Sequence, residues 1–248
     1  MKTRNQIDIE YHEIIAAEYD HVVVEPRAYA NDVLFRPFEK FATGGDDMLD
    51  VGCGTGHMLV RYADRYGKVT GIDHSPAMLN KAQEICQEKG FSNIQFFETD
   101  LHKFLEDSEK QYDLITMVGC LHHLSPADFA HTLKLIRSHL KDSGYFLIAE
   151  PIETDFMPPE ELNAWNRESI AVQRTYSQHA EDPDEAPIHL DELNKHFSDA
   201  GLEKVEESRG TEIFPHNEPP SEEDKKMIEH FHEKYGQYGH VYAALFKK

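Results

Sequence analysis

Apolar positions recur along this chain with a period that changes from block to block, and each change marks an element. In the first forty residues Ile14, Ile15, Ala16 and Tyr19 lie three to four apart, as on one face of a helix. Val22-Val23-Val24-Glu25-Pro26 interrupts that stripe. Val33, Leu34, Phe38 and Phe41 resume it in a second helix expected from Ala28 to Phe41, and Gly44-Gly45-Asp46-Asp47 reads as a loop. From Met48 the pattern alternates. Strands are expected at 48–52, 68–73, 94–98, 112–118 and 145–149, and a helix at 57–66. Ser75-Pro76 and Ser125-Pro126 open two further helices, serine as the cap and proline in the first turn. The first ends near Gly90, and the second turns Phe129, Leu133, Ile136 and Leu140 inward. Apolar strands alternating with helices predict an α/β fold, a parallel sheet covered on both faces. The regularity stops at Pro151. Beyond it the pattern predicts a helix over 160–178, an acidic loop at 181–185, a helix over 190–200, a strand over 202–208, a helix over 221–235 and a last strand over 241–246.

Composition narrows the class. At 248 residues with 40% hydrophobic content, the chain can bury a single core with insertions. No run approaches the roughly 18 apolar residues of a membrane span, and the polar, acidic start does not read as a signal peptide. Cys53, Cys86 and Cys120 are odd in number and widely spaced, which argues against a disulfide framework and for a reducing, cytoplasmic setting. The formal net charge of -21 repels phosphate backbones and disfavours nucleic acid as partner.

The chemistry begins in Met48-Leu49-Asp50-Val51-Gly52-Cys53-Gly54-Thr55-Gly56-His57, a buried strand running through a glycine turn into a helix. Glycine there tolerates positive φ and lets a ligand lie against the backbone, and a helix start suits an anionic group. A dinucleotide fold wants GxGxxG. Here Gly56 comes one residue early and His57 holds the third position, which counts against a hydride-transfer enzyme. Asp73, at the end of the next strand, can accept both hydroxyls of a ribose; a loop acid capping the following helix is the alternative. Asp100 follows the third strand, near an adenine amino group on this layout, or as a helix N-cap.

At this point the chain resembles the class I S-adenosylmethionine-dependent methyltransferases, in LDVGCGTGHM (49–58), GIDHSPAML (71–79), ETDLHKF (98–104), YDLITMVGCLHHL (112–124) and LKDSGYFLIAEP (140–151). The resemblance implies a Rossmann-like, seven-stranded, mostly parallel sheet with helices on both faces, its last strand antiparallel, plus a helical lid. It divides the chain into a lid segment at 1–45, a cofactor-binding core at 46–150, a helical cap insertion at 151–189 and the C-terminal part of the sheet at 190–248. It also implies S-adenosylmethionine as cofactor and S-adenosylhomocysteine as product. Gly52 and Gly54 would pack against the methionine part, with Asp50 near its amino group and Val118 bordering the transferred methyl. Asp73 would hold the ribose, Met78 would cover the adenine, and Asp100 with the Leu101 N–H would bind its edge. Cys53 and His74, inside the first two motifs, count with the cofactor-lining positions. Tyr19, or Tyr11, would close over the cofactor.

A sulfonium methyl is already electrophilic, so alignment and water exclusion are the main needs. A base is required only when the nucleophile arrives protonated. His122 and His123 stand where amide- and adenine-modifying relatives carry Asn/Asp-Pro-Pro-Tyr/Phe, which favours a small-molecule acceptor. Either histidine can take a proton, or both can form a structural turn. Adjacent histidines and the lack of HExxH argue against a metal. His57, His74 and the remaining histidines read as surface or capping residues, and Cys120 as a small filler. Arg27, and Arg167 and Arg174 on one face of the 160–178 helix with Trp165, are candidates for an anionic substrate group, or for pairing with local acids. Glu150 points toward a substrate amine or caps a turn. The competing functions are a cofactor-binding regulator that has lost its chemistry and a tRNA- or protein-methylating enzyme; a homodimer is one option for the assembly.

Overall fold

The computed structural model describes residues 4–17, 19–153, 188–210, 221–235 and 241–248. The expected 160–178 helix, the 181–185 loop, Trp165, Arg167 and Arg174 lie outside these. Strands β1 (Gly45–Val51), β2 (Tyr66–Asp73), β3 (Ile94–Glu98), β4 (Tyr112–Val118), β5 (Leu140–Glu153), β7 (Glu203–Gly210) and β8 (Val241–Lys247) form one sheet in the order β3-β2-β1-β4-β5-β8-β7. The two-residue strand β6 (Ile188–His189) adds to the outer end of β5. Strands β1 to β5 run parallel, while β8 lies antiparallel between β5 and β7. The seven-stranded sheet with an antiparallel last strand is therefore present. Its order reverses between β1 and β4, the place where such sheets open a crevice at their carboxyl ends.

Alternate residues of each strand face opposite sides, and two cores follow. Leu49, Val51, Ile115, Met117, Phe146 and Ile148 pack with Phe129, Leu133 and Ile136 of α6 (Pro126–Ser138) and Leu193 and Phe197 of α7 (Leu190–Asp199). Met48, Leu114, Leu147 and Leu245 pack on the other side with Leu59 and Tyr62 of α3 (His57–Tyr62), Leu79 of α4 (Pro76–Glu88), and Phe35 and Phe38.

Several boundaries differ from the pattern. Pro26 does not break the second helix. A π-helical turn at Asp20–Val24 runs directly into α2 (Glu25–Phe35), whose second residue is Pro26, so the backbone stays helical across it. Phe38 belongs to a separate 3₁₀ turn at Arg36–Phe38. Leu140 opens β5 rather than ending α6, and β5 continues to Glu153 because β8 pairs along it as far as Pro151, opposite Val241, and β6 pairs with Ile152 and Glu153. The N-terminal helix α1 (Arg4–Ile15) is fastened to α4 by Glu13, whose Oε1 accepts from Ser75 Oγ at 2.8 Å and from the Ala77 N–H at 3.0 Å. α2 is tied to α8 (Glu222–Tyr235) through Glu229, which accepts from Tyr29 at 2.8 Å and Arg36 at 3.1 Å.

Candidate active site

The glycine turn at the end of β1 builds one end of a cavity of about 440 Å³ at the switch point. Gly52, Gly54 and Gly56 all have positive φ, at 65°, 50° and 89°. A Cβ on Gly52 would come within 2.6 Å of Cys120 Sγ, so glycine lets the β4 loop approach. A Cβ on Gly54 would meet nothing within 4 Å: that backbone is bare toward the cavity. Thr55 donates its hydroxyl to Asp20 Oδ1 at 2.6 Å, which clamps the π-turn onto the glycine turn.

Three carboxylates line this half. Asp73 accepts the Gly54 N–H at one oxygen and the Ser75 N–H at the other, both at 2.9 Å, and so ties two loops together. Each oxygen keeps a second lone pair for a hydroxyl. Asp100 is the N-cap of α5 (Leu101–Glu106), where its Oδ1 accepts from the His102 and Lys103 N–H groups. It lines the cavity as well, so capping and ligand roles coexist in one side chain. Asp50 is 2% exposed. Its Oδ1 accepts from Thr116 Oγ1 at 2.6 Å, while Oδ2 is buried with no hydrogen-bond partner among the described residues. Burial pushes its carboxyl up to about 7. Cys53, His74, Met78, Leu101 and Val118 also form the wall. Among the two lid tyrosines, Tyr19 lines the cavity, whereas Tyr11 packs edge-on against His12 at 5.3 Å without reaching the described wall.

The other half is made by the ends of β4 and β5 and by α2. Glu150, 1% exposed, takes the turn-capping arrangement: its Oε1 accepts the Cys120 and Leu121 N–H groups at 3.0 and 2.7 Å. Its Oε2 holds His122 Nδ1 at 2.7 Å. His122 lies behind the wall, with its ring 4.1 Å from that of His123, and His123 is the one of the pair that lines the cavity. Arg27, Asn31, Leu34 and Phe35 share the inward face of α2 at helical spacing, and Val23, Val24 and Val241 complete an apolar wall.

Two residues were missed from the pattern. His12 reaches from α1 to the cavity, with its ring 5.3 Å from that of His123 and 6.3 Å from that of His74. His57 is neither surface nor cap: Gly56 is the α3 N-cap, and His57 Nε2 is buried in the wall without a partner among the described residues. Desolvation, with Arg61 nearby, pulls its imidazole down to about 4, so it stays neutral.

The site fits S-adenosylmethionine on these observations: a bare glycine floor, a carboxylate with open lone pairs, and two unpartnered buried polar atoms beside the turn. Comparison with known proteins agrees. Residues 48–144 match the family model described as a methyltransferase domain. The chain is 28% identical over 137 residues to a ubiquinone biosynthesis O-methyltransferase of Acinetobacter baylyi, covering 54% of this chain and 57% of that protein. It is 42% identical over 83 residues to a demethylmenaquinone methyltransferase of Tropheryma whipplei, covering 34% of this chain and 33% of that one. The chain thus matches between about a third and three-fifths of these relatives' lengths. Among solved structures, a DhpI-SAM-HEP complex superimposes over 100% of both chains with a TM-score of 0.65 at 14% identity. A SAM-dependent methyltransferase from Archaeoglobus fulgidus covers 86% of this chain and 91% of that one, with a TM-score of 0.57 at 21% identity. These likenesses show the fold.

Proposed function

From a chain that carries a methyltransferase domain at 48–144 in the class I S-adenosylmethionine-dependent fold, we propose that the protein transfers the methyl group of S-adenosylmethionine to a small-molecule acceptor. The carrying observation is the cavity itself: one wall holds Asp50, the bare Gly54 backbone, Asp73, Met78 and Asp100 together. When bound, the cofactor supplies an electrophilic sulfonium methyl. Asp73 offers its spare lone pairs to the ribose hydroxyls, Met78 and Leu101 flank the adenine, Asp100 meets its edge, and Asp50 answers the ammonium.

The acceptor belongs in the half lined by Val23, Val24, Leu34, Phe35 and Val241, an apolar wall suited to an organic ring or chain. Relatives named for ubiquinone and menaquinone synthesis support a small molecule of that character. His123, which lines the cavity, would receive the proton of a hydroxyl or protonated amine, while Glu150 fixes His122 and the turn that carries it. Arg27 and Asn31 supply polar contacts to the acceptor. Three free cysteines suit a reducing, cytoplasmic location.

The test uses cofactor with an isotopically labelled methyl and a fractionated cell extract. The reading expects label in the low-mass fraction, abolished by Asp73→Ala. Label confined to protein or RNA overturns the small-molecule acceptor.

A further inference from the structure

The inward face of α2, with the turn before it, is apolar except at two positions. Val23, Val24, Leu34 and Phe35 line the cavity at helical spacing, and Arg27 and Asn31 stand among them, one turn apart. A helix face that serves packing alone is an unbroken apolar stripe, and long charged side chains ordinarily keep their heads in water. Arg36, just past the end of α2, does so: it is exposed and pairs with Glu229 and Asp32, neither of which lines the cavity. Arg27 is partly buried and lines the cavity.

Charge makes the position more specific. Among the described lining residues Arg27 is the one lysine or arginine, set against Asp50, Asp73, Asp100, Asp128 and Glu150. The whole chain carries -21. An anion entering such a site is repelled, so its charge has to be answered on the wall itself, and Arg27 is the residue that can answer it. A guanidinium offers parallel N–H groups that match a carboxylate. Asn31, about 6 Å further along the helix, adds a carboxamide donor. A monoanion suits this single cation, whereas a phosphate dianion would leave one charge unanswered among acids.

We infer that Arg27, with Asn31, holds a carboxylate of the acceptor, so that the substrate is an organic acid whose apolar body packs on Val23, Val24, Leu34 and Phe35. The inference rests on the small-molecule reading above and names its substrate class. A carboxylate whose lone pairs are engaged by the guanidinium is a poor nucleophile. The methyl therefore goes to another atom of the acid, and the product stays anionic.

The test divides the small-molecule pool of a cell extract by anion exchange at pH 7, where carboxylates are charged and phenols are not. Both fractions are offered, with labelled cofactor, to wild type, Arg27→Met and Arg27→Lys, each variant checked for an intact melting transition. Acceptor activity is expected in the retained fraction, untouched by prior phosphatase treatment, and the labelled product is expected to be retained in turn. Over a dilution series of that fraction, Arg27→Met is expected to raise KM about tenfold with kcat changed less than about threefold, and Arg27→Lys to recover part of the loss. By calorimetry Arg27→Met is expected to bind S-adenosylhomocysteine within about twofold of wild type. Acceptor activity in the unretained fraction, its loss to phosphatase, an unchanged KM, or S-adenosylhomocysteine binding weakened as much as acceptor use overturns the assignment while leaving the small-molecule reading intact. Wild type that labels neither fraction overturns that reading, and this assignment with it.

Discussion

Asp50 shows what this site costs the fold. Its carboxyl is buried, half-bonded to Thr116, and pushed from an ordinary 3.8 up to about 7, chiefly by desolvation. The folded chain therefore keeps a proton that the unfolded chain releases above about pH 4, and this contribution to stability falls as pH rises through 7. Asp50→Asn removes the burden. It is expected to raise the stability of the ligand-free protein at pH 8 by on the order of 1 kcal/mol, and to weaken S-adenosylhomocysteine binding. Urea denaturation of both proteins at pH 5 and pH 8 checks it, the difference growing with pH. The placement of Gly54, Asp73 and Asp100 on one cavity wall was legible in the sequence because it follows from their position at strand ends. His57 and His12 were not: a sequence shows that a histidine is polar, and only packing shows that both rings reach the cavity wall. His122 and His123 looked equivalent, and only Glu150, folded in from β5, separates the positioned ring from the cavity-facing one.

The N-terminal elements are fastened over the cavity by side-chain carboxylates. α1 is fastened through Glu13 to Ser75 and Ala77, and the π-turn through Asp20 to Thr55. Such segments open at low free energy relative to the whole fold. Asp20→Ala removes the Thr55 clamp and is expected to speed amide exchange across 4–24 by about tenfold, as loss of one charge-assisted hydrogen bond implies. The β1 and β4 amides should be unaffected; unchanged exchange in 4–24 would contradict the clamp. Helical period and capping residues exposed α4, α6 and α7 in the sequence, α6 with its inward stripe. The period failed around Pro26, because a proline in a first turn looks the same as one that ends a helix. It also failed at Pro151, where pairing with β8 extends a strand that the local pattern ends.

At the scale of the molecule, the alternation of strand and helix announced a parallel sheet, but not which strand would lie beside which. The insertion of β8 between β5 and β7 is a fact of distant pairing, Phe146 against Phe246 and Glu203 against Lys247, that no local window contains. The resemblance of 49–151 to a known family implied the arrangement instead, a seven-stranded sheet with its last strand antiparallel. The formal charge of -21 is compatible with a ligand that is zwitterionic or cationic and unfavourable for a pyrophosphate. The spacing of the turn makes the same distinction. The most direct test is a titration of the ligand-free protein with S-adenosylhomocysteine and, separately, with NADH. Saturable one-to-one binding of the first, weakened about tenfold or more in Asp73→Ala, and none of the second, is the predicted result; binding of NADH, or S-adenosylhomocysteine binding indifferent to Asp73, would contradict it.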